Sequence, residues 1–187
     1  MMMPGFFCSR FAILSTLALG GALLALCGCS SDPASFACPG AAILADAATR
    51  PVLKAGSDAT DPAAVLYTVR MMTIGTSCSL DRRLGVTNSD VTLTFQASRA
   101  PSGQAAHYVV PYFLAINQGD RVINKRMFNI QVDFAPGAAG VRAQTAVNNT
   151  TLKLENGRLP TDYQFLAGFQ LSEAEQAYLK RVGPYTP

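Results

Sequence analysis

The chain has 187 residues, of which 49% are hydrophobic and 14% charged, with a formal net charge of +3. That length fits one domain with appendages, and it excludes a large multidomain enzyme. A mean hydropathy of +0.20 with so little charge excludes a disordered chain, and the mild basic excess lacks the footprint of a nucleic-acid binder. In chain order, the first predicted element is an apolar front. After a single charge at Arg10, the stretch Phe11–Cys27 carries none in 17 residues. A membrane-spanning helix needs about 20 apolar residues, so the front reads as the n-region and h-region of a secretory signal.

The segment Leu26-Cys27-Gly28-Cys29 resembles the lipobox of bacterial lipoproteins, with Leu at −3, a small residue at −1 and Cys at +1. The resemblance implies a signal peptide over residues 1–28, cleavage before Cys29, and diacylation of the Cys29 thiol. Cys27 is the poorer acceptor, because Leu26 would occupy its −1 position. An ordinary signal peptide or an uncleaved anchor is the plainer alternative. Ser30 at +2 lacks the Asp of inner-membrane retention, so the resemblance also implies an outer-membrane anchor with the domain facing the periplasm. Several acyl chains hold far more firmly than one, since each buried CH₂ adds about 0.8 kcal/mol. On this reading residues 29–37 are the lipidated cysteine and a short polar tether, and 38–187 are the folded domain.

Five cysteines are present. Cys8 and Cys27 leave with the signal and Cys29 carries lipid, so Cys38 and Cys78 remain as an even pair in an oxidising compartment, where a disulfide is expected. Two buried thiols or a metal site are the alternatives. One histidine and two widely separated cysteines supply no metal-ligand cluster of known spacing.

Beyond Cys38 the dominant period is two. A short apolar run near Ala41–Leu44 is followed by a longer one at Ala63–Ile74. Val91, Leu93, Phe95 and Ala97 then alternate with Thr92, Thr94, Gln96 and Ser98, which predicts a half-buried strand. Runs follow at Ala106–Asn117, Phe128–Phe134, Val141–Glu155 and Tyr163–Leu171, separated by turn signals such as Thr87-Asn88-Ser89-Asp90, Gly75-Thr76 and Asn156-Gly157. About seven strands without intervening helices predict an all-β protein, an antiparallel two-sheet sandwich. It is Ig-like in architecture only, since no Trp stands beside the disulfide; a small up-and-down barrel is the runner-up. At the end, Ser172-Glu173-Ala174-Glu175 is a capping box that opens a short C-terminal helix. Ala174, Tyr178 and Val182 form its apolar stripe, Lys180 and Arg181 suit its C-terminal dipole, and Gly183-Pro184 stops it.

Within Ala106–Asn117 one face suits the core, whereas the opposite face carries His107, Val109, Pro111, Phe113 and Ala115 and is unusually apolar. Pro111 cannot donate to a ladder, so an edge strand or a bulge is expected there. Val109, Pro111 and Phe113 are accordingly a candidate partner surface, by strand addition or simple burial. The competing expectation is that the C-terminal helix or a loop covers Val109 and Phe113.

Chemistry is sparse. His107 is the only histidine, and no nucleophile motif accompanies it, so a partly exposed strand histidine is the expectation. Zinc hydrolysis, phosphoryl transfer and dinucleotide binding lack their motifs. No pair among the scattered acids is favoured for glycoside hydrolysis. Met71 and Met72 would face opposite sides of a strand rather than converge on a soft metal. No catalytic residue, metal ligand or cofactor is predicted. Arg82-Arg83, Lys125-Arg126 and Lys180-Arg181 read as solvated charges, with headgroup or lipopolysaccharide contact the second reading.

The lipobox, Cys38-Pro39 with Ile43-Leu44-Ala45-Asp46-Ala47, Ser77-Cys78-Ser79 and Ala167-Gly168-Phe169-Gln170-Leu171-Ser172 together resemble uncharacterised outer-membrane lipoproteins of alphaproteobacteria. That resemblance supports location and fold and brings no activity. The expected role is a non-enzymatic, lipid-anchored envelope protein that binds other envelope proteins. A periplasmic lipoprotein that captures a small or lipidic ligand between its sheets is the alternative, and a hydrolase without a recognisable motif is the third reading.

Overall fold

The alternating runs fold into strands whose apolar sides meet. A computed structural model describes residues 37–56, 61–101 and 104–182. Among these residues eight strands occur: β1 (Gly40–Ile43), β2 (Thr49–Leu53), β3 (Val65–Asp81), β4 (Val86–Ser98), β5 (Ala106–Gln118), β6 (Arg121–Phe134), β7 (Gly140–Lys153) and β8 (Tyr163–Phe169), followed by helix α1 (Glu173–Val182). They form two four-stranded sheets, ordered β1-β8-β5-β6 and β2-β3-β4-β7. Every pairing is antiparallel except that of β1 with β8. The two sheets stay separate, which gives a sandwich and not a barrel.

The period of two decides which side chains meet. Val91, Leu93, Phe95 and Ala97 of β4 are buried, as are Ile130, Val132 and Phe134 of β6 and Phe165, Ala167 and Phe169 of β8. Aromatic rings occupy the centre that a Trp would fill in an Ig domain. Phe95 lies 5.3 Å from Tyr112 and 6.0 Å from Phe169, centroid to centroid, and Tyr67 stacks on Tyr108 at 4.0 Å. Each such pair adds about 0.5–1.5 kcal/mol beyond its area burial.

Three features depart from the expected strands, each for a physical reason. β2 reads Thr-Arg-Pro-Val-Leu and shows no clean alternation; as the edge of its sheet it tolerates Pro51, whose missing N–H breaks no ladder there. The expected turns at Gly75-Thr76 and Thr87–Asp90 lie inside a long β3–β4 hairpin instead, which turns at Asp81–Val86 with Gly85 at φ 62°. Thr87 points into the sandwich and its hydroxyl donates to the Ser79 carbonyl at 3.1 Å, so a polar residue that signals a turn is satisfied within the strand. β6 begins seven residues before Phe128 because Arg121–Met127 is exposed throughout. With no buried face, that half has no alternation to read.

Cys38 and Cys78 form a disulfide with their Cα atoms 5.7 Å apart. It joins the segment before β1, in one sheet, to β3 in the other. The hydroxyl of Thr76 donates to the Pro39 carbonyl beside it at 3.1 Å.

The capping box of α1 is formed: the Glu175 amide donates to Ser172 Oγ at 3.2 Å, and the Ser172 amide donates to Glu175 Oε2 at 2.8 Å. Each satisfies an N–H that the first turn leaves without a helical acceptor. The packed stripe differs from the expected one. Ala174 is exposed, and the buried position is Glu175, whose Oε1 accepts from Arg50 Nε at 2.9 Å. Glu175 thus lies on the same side of the helix as Tyr178, Leu179 and Val182, which line a groove beside β2 and β3.

Candidate functional site

Of the residues singled out by sequence, Cys29 lies outside the described residues. Val109, Pro111 and Phe113 share the outer face of the β1-β8-β5-β6 sheet, as the alternation requires. β5 is not an edge along its whole length. β8 pairs with Tyr112–Gln118 but ends at Phe169, opposite Tyr112. From Ala106 to Pro111 the strand therefore has β6 alone as a partner. Pro111 sits one residue beyond the last rung to β8 and opposite Asn129 of β6, so it interrupts no pairing with β8. A register shift also occurs, between Ile116 and Asn117.

The three side chains have different fates. Val109 is 52% exposed and Pro111 half-buried, whereas Phe113 is only 7% exposed. The expected three-residue surface therefore narrows to Val109 and Pro111. What covers Phe113 is not α1, which lies against the other sheet. Gly168, directly across the ladder, leaves room for the ring, and Ala47 of the short 3-10 turn Ala45–Ala47 closes beside it. Lys125 Nζ stands 4.2 Å from the ring centroid. A Cβ at position 168 would lie 2.7 Å from Phe113 Cζ and 2.9 Å from Ala47 Cβ. Gly168→Ala is thus expected to lower stability by about 1–3 kcal/mol through overpacking, and Val109→Glu by no more than about 0.5 kcal/mol; urea unfolding of the two variants checks both.

His107 is exposed and its Nδ1 bonds Oδ1 of Asp133, its cross-strand neighbour. Met71 is buried and Met72 exposed, so the two thioethers point apart. Of the basic pairs, only Arg82-Arg83 lies in a turn; Lys125-Arg126 is in β6 and Lys180-Arg181 in α1.

Two concave features had no sequence signal, because each needs elements brought together by packing. A groove of about 540 Å³ runs between α1 and the outer face of β2 and β3, lined by Pro51, Arg70, Met72, Tyr178, Leu179 and Val182 among others. A smaller cleft of about 260 Å³ opens where the sheets part beside β6 and β7, with Leu114, Ile116, Arg126 and Phe128 on one side and Asn149–Thr151 on the other. The centre between the sheets is filled by side chains. Its phenols show that environment: burial pushes Tyr67 up, against the pull of Arg50 and with a further push from Tyr108 and Glu175. Burial likewise raises Tyr112, offset in part by its hydrogen bond with Thr145.

At the end of the sandwich reached by Cys38, Glu155 ties the β7–β8 connection to the β5–β6 turn and to the start of β8. Its carboxylate accepts from Gln118 Nε2 and from Arg121 Nη2, each at 2.9 Å, and its amide donates to the Tyr163 hydroxyl at 3.0 Å. The bonds from Gln118 and Arg121 hold the Glu155 carboxyl below its ordinary value. Comparison of the chain with protein-family models, curated proteins and solved structures gives no match.

Proposed function

We propose that the chain is a lipid-anchored, non-enzymatic module of the cell envelope, held at the outer membrane through Cys29, whose sandwich engages other envelope proteins. The Cys38–Cys78 disulfide carries this reading. A bridge between sheets belongs in an oxidising compartment, and it begins nine residues after the lipobox cysteine. Val109 and the half of β5 that lacks β8 supply an apolar patch beside unpaired main chain, a combination suited to strand addition. Pro111 limits how far an added strand could run, which also guards against self-association.

The anchor is tested by metabolic labelling with palmitate. Cys29→Ala is expected to lose the label and leave the membrane fraction, while Cys27→Ala keeps both. Label persisting on Cys29→Ala would show the anchor to be elsewhere. Val109→Glu is expected to retain the lipid and the fold while crosslinked partners disappear.

A further inference from the structure

We infer that the end of the sandwich formed by the β3–β4 turn, the β5–β6 turn and the β7–β8 connection seats on a layer of anionic phospholipid headgroups; this rests on the lipid anchor proposed above. The topology brings the three connections together. β3 ends and β4 begins beside the end of β7, and β5 ends beside the beginnings of β6 and β8. The Leu154 amide donates to the Gly85 carbonyl at 2.8 Å, and Arg121 pairs with Glu155, which fixes the connections to one another. The chain arrives at this same end, because Cys38 precedes β1, and β1 runs parallel to β8 from Gly40 opposite Gln164.

Two independent observations point to a membrane. The first is reach. The nine peptide steps from Cys29 to Cys38 span at most about 32 Å, whereas the 17 residues of β3 rise about 55 Å. An anchor at Cys29 therefore keeps this end near the bilayer. The second is composition. Leu84 is 62% and Leu159 63% exposed, the two highest values among the exposed large apolar side chains, and each lies in a connection between strands. Arg82 and Arg83 precede Leu84, and Arg158 precedes Leu159. Asp81 and Asp162 keep their charge but hold it against the backbone, each accepting from an amide, that of Leu84 at 3.0 Å and that of Leu159 at 2.8 Å, and Asp120 adds an exposed carboxylate in the β5–β6 turn. Glu155 is taken by Arg121 and Gln118. Arg82 and Arg83 have no carboxylate partner among the described residues. The formal charges of this end are near balance, so the feature that matches a headgroup interface is local: exposed Leu84 beside Arg82 and Arg83, where leucine would enter the acyl boundary and guanidinium meet phosphate.

The chain has no tryptophan, so a single introduced indole reports its surroundings without background. Full-length protein carrying Leu84→Trp, Leu159→Trp or Val109→Trp is purified from membranes and reconstituted into vesicles of phosphatidylcholine and phosphatidylglycerol with brominated acyl chains. Emission from the first two is expected to shift to the blue and be quenched, while that from Val109→Trp, on a strand face away from the turns, stays unchanged. Adding Arg82→Glu and Arg83→Glu is expected to return the Leu84→Trp signal to the level of the control. Vesicle flotation separates this inference from the anchor. A chain that floats with its indole at position 84 unquenched, as it would be if this end met a protein instead, overturns the headgroup seat alone. Quenching that ignores the charge reversals also overturns it, and a chain that does not float overturns both readings.

Discussion

Arg50→Ala is expected to lower the unfolding free energy by about 3 kcal/mol, with Glu175→Gln costing much less. The asymmetry follows from where each charge sits. The Glu175 side chain is 6% exposed and that of Arg50 19%. Removing the arginine strands a carboxylate away from water, and breaking a buried pair in this way costs about 3–5 kcal/mol. The lower end applies because Arg50 itself keeps some water and Glu175 keeps its bond to the Ser172 amide. Glu175→Gln leaves that bond possible, since glutamine also serves in a capping box, and leaves a guanidinium able to turn to solvent. The consequence extends beyond the pair, because Arg50 ties the edge strand β2 to the first turn of α1. Loss of the arginine should loosen both, and Gln176, Leu179 and Lys180 amides should exchange faster than those of β4. Urea unfolding of the two single variants and the double variant gives the coupling energy directly. A coupling below about 0.5 kcal/mol would show the pair to be incidental to the docking of α1.

The pair also marks where the sequence stopped being readable. Alternation placed the core of β4, β6 and β8 because each has one side against the other sheet, so burial itself writes the pattern. Ser172 and Glu175 were legible because a capping box is local. The face that α1 presents was not, because Glu175 is buried only through an arginine 125 residues away. Pro111 predicts an edge strand or a bulge, and the structure gives an edge for only part of β5: the ladder to β6 runs through Pro111 opposite Asn129, β8 stops at Tyr112, and the irregularity lies between Ile116 and Asn117. Phe113 looked like an outward apolar residue because nothing local shows that Gly168 and Ala47 make space for it and close over it. The even cysteine count left Cys38 and Cys78 as the pair, whereas their role as a link between the sheets emerged only once β1 and β3 were placed. The cluster of arginines and leucines at one end was similarly hidden, since Arg82, Arg121 and Arg158 come from three connections far apart in the chain.

Removing the disulfide, as Cys38→Ser with Cys78→Ser, is expected to cost about 4 kcal/mol. The bridge closes a loop with a sequence separation of 40, and loop-closure entropy in the unfolded chain gives that magnitude. At about 2–4 °C per kcal/mol for a domain of this size, Tm should fall by roughly 8–16 °C. A local effect should accompany the global one. β1 is four residues long, pairs only with β8, and is the one parallel strand of the sandwich. Its contacts with β3 across the sheets run beside the bridge, where Thr76 also holds the Pro39 carbonyl. Without the disulfide this end of β1 depends on that single hydroxyl and a short ladder. Amides of Ala41–Ile43 should then lose protection well before those of β4 and of Tyr112–Ile116 in β5, which have a strand on either side. If the lipid anchor is at Cys29, the same bridge is also where any pull on the tether enters the fold, passing from Cys38 into the 17-residue strand β3 rather than peeling β1 away. Thermal unfolding and hydrogen exchange of the double variant test both parts. A fall in Tm of less than about 2 °C would show that the unlinked segment holds its place by packing alone, and unchanged exchange at Ala41–Ile43 would show that β1 does not need the bridge.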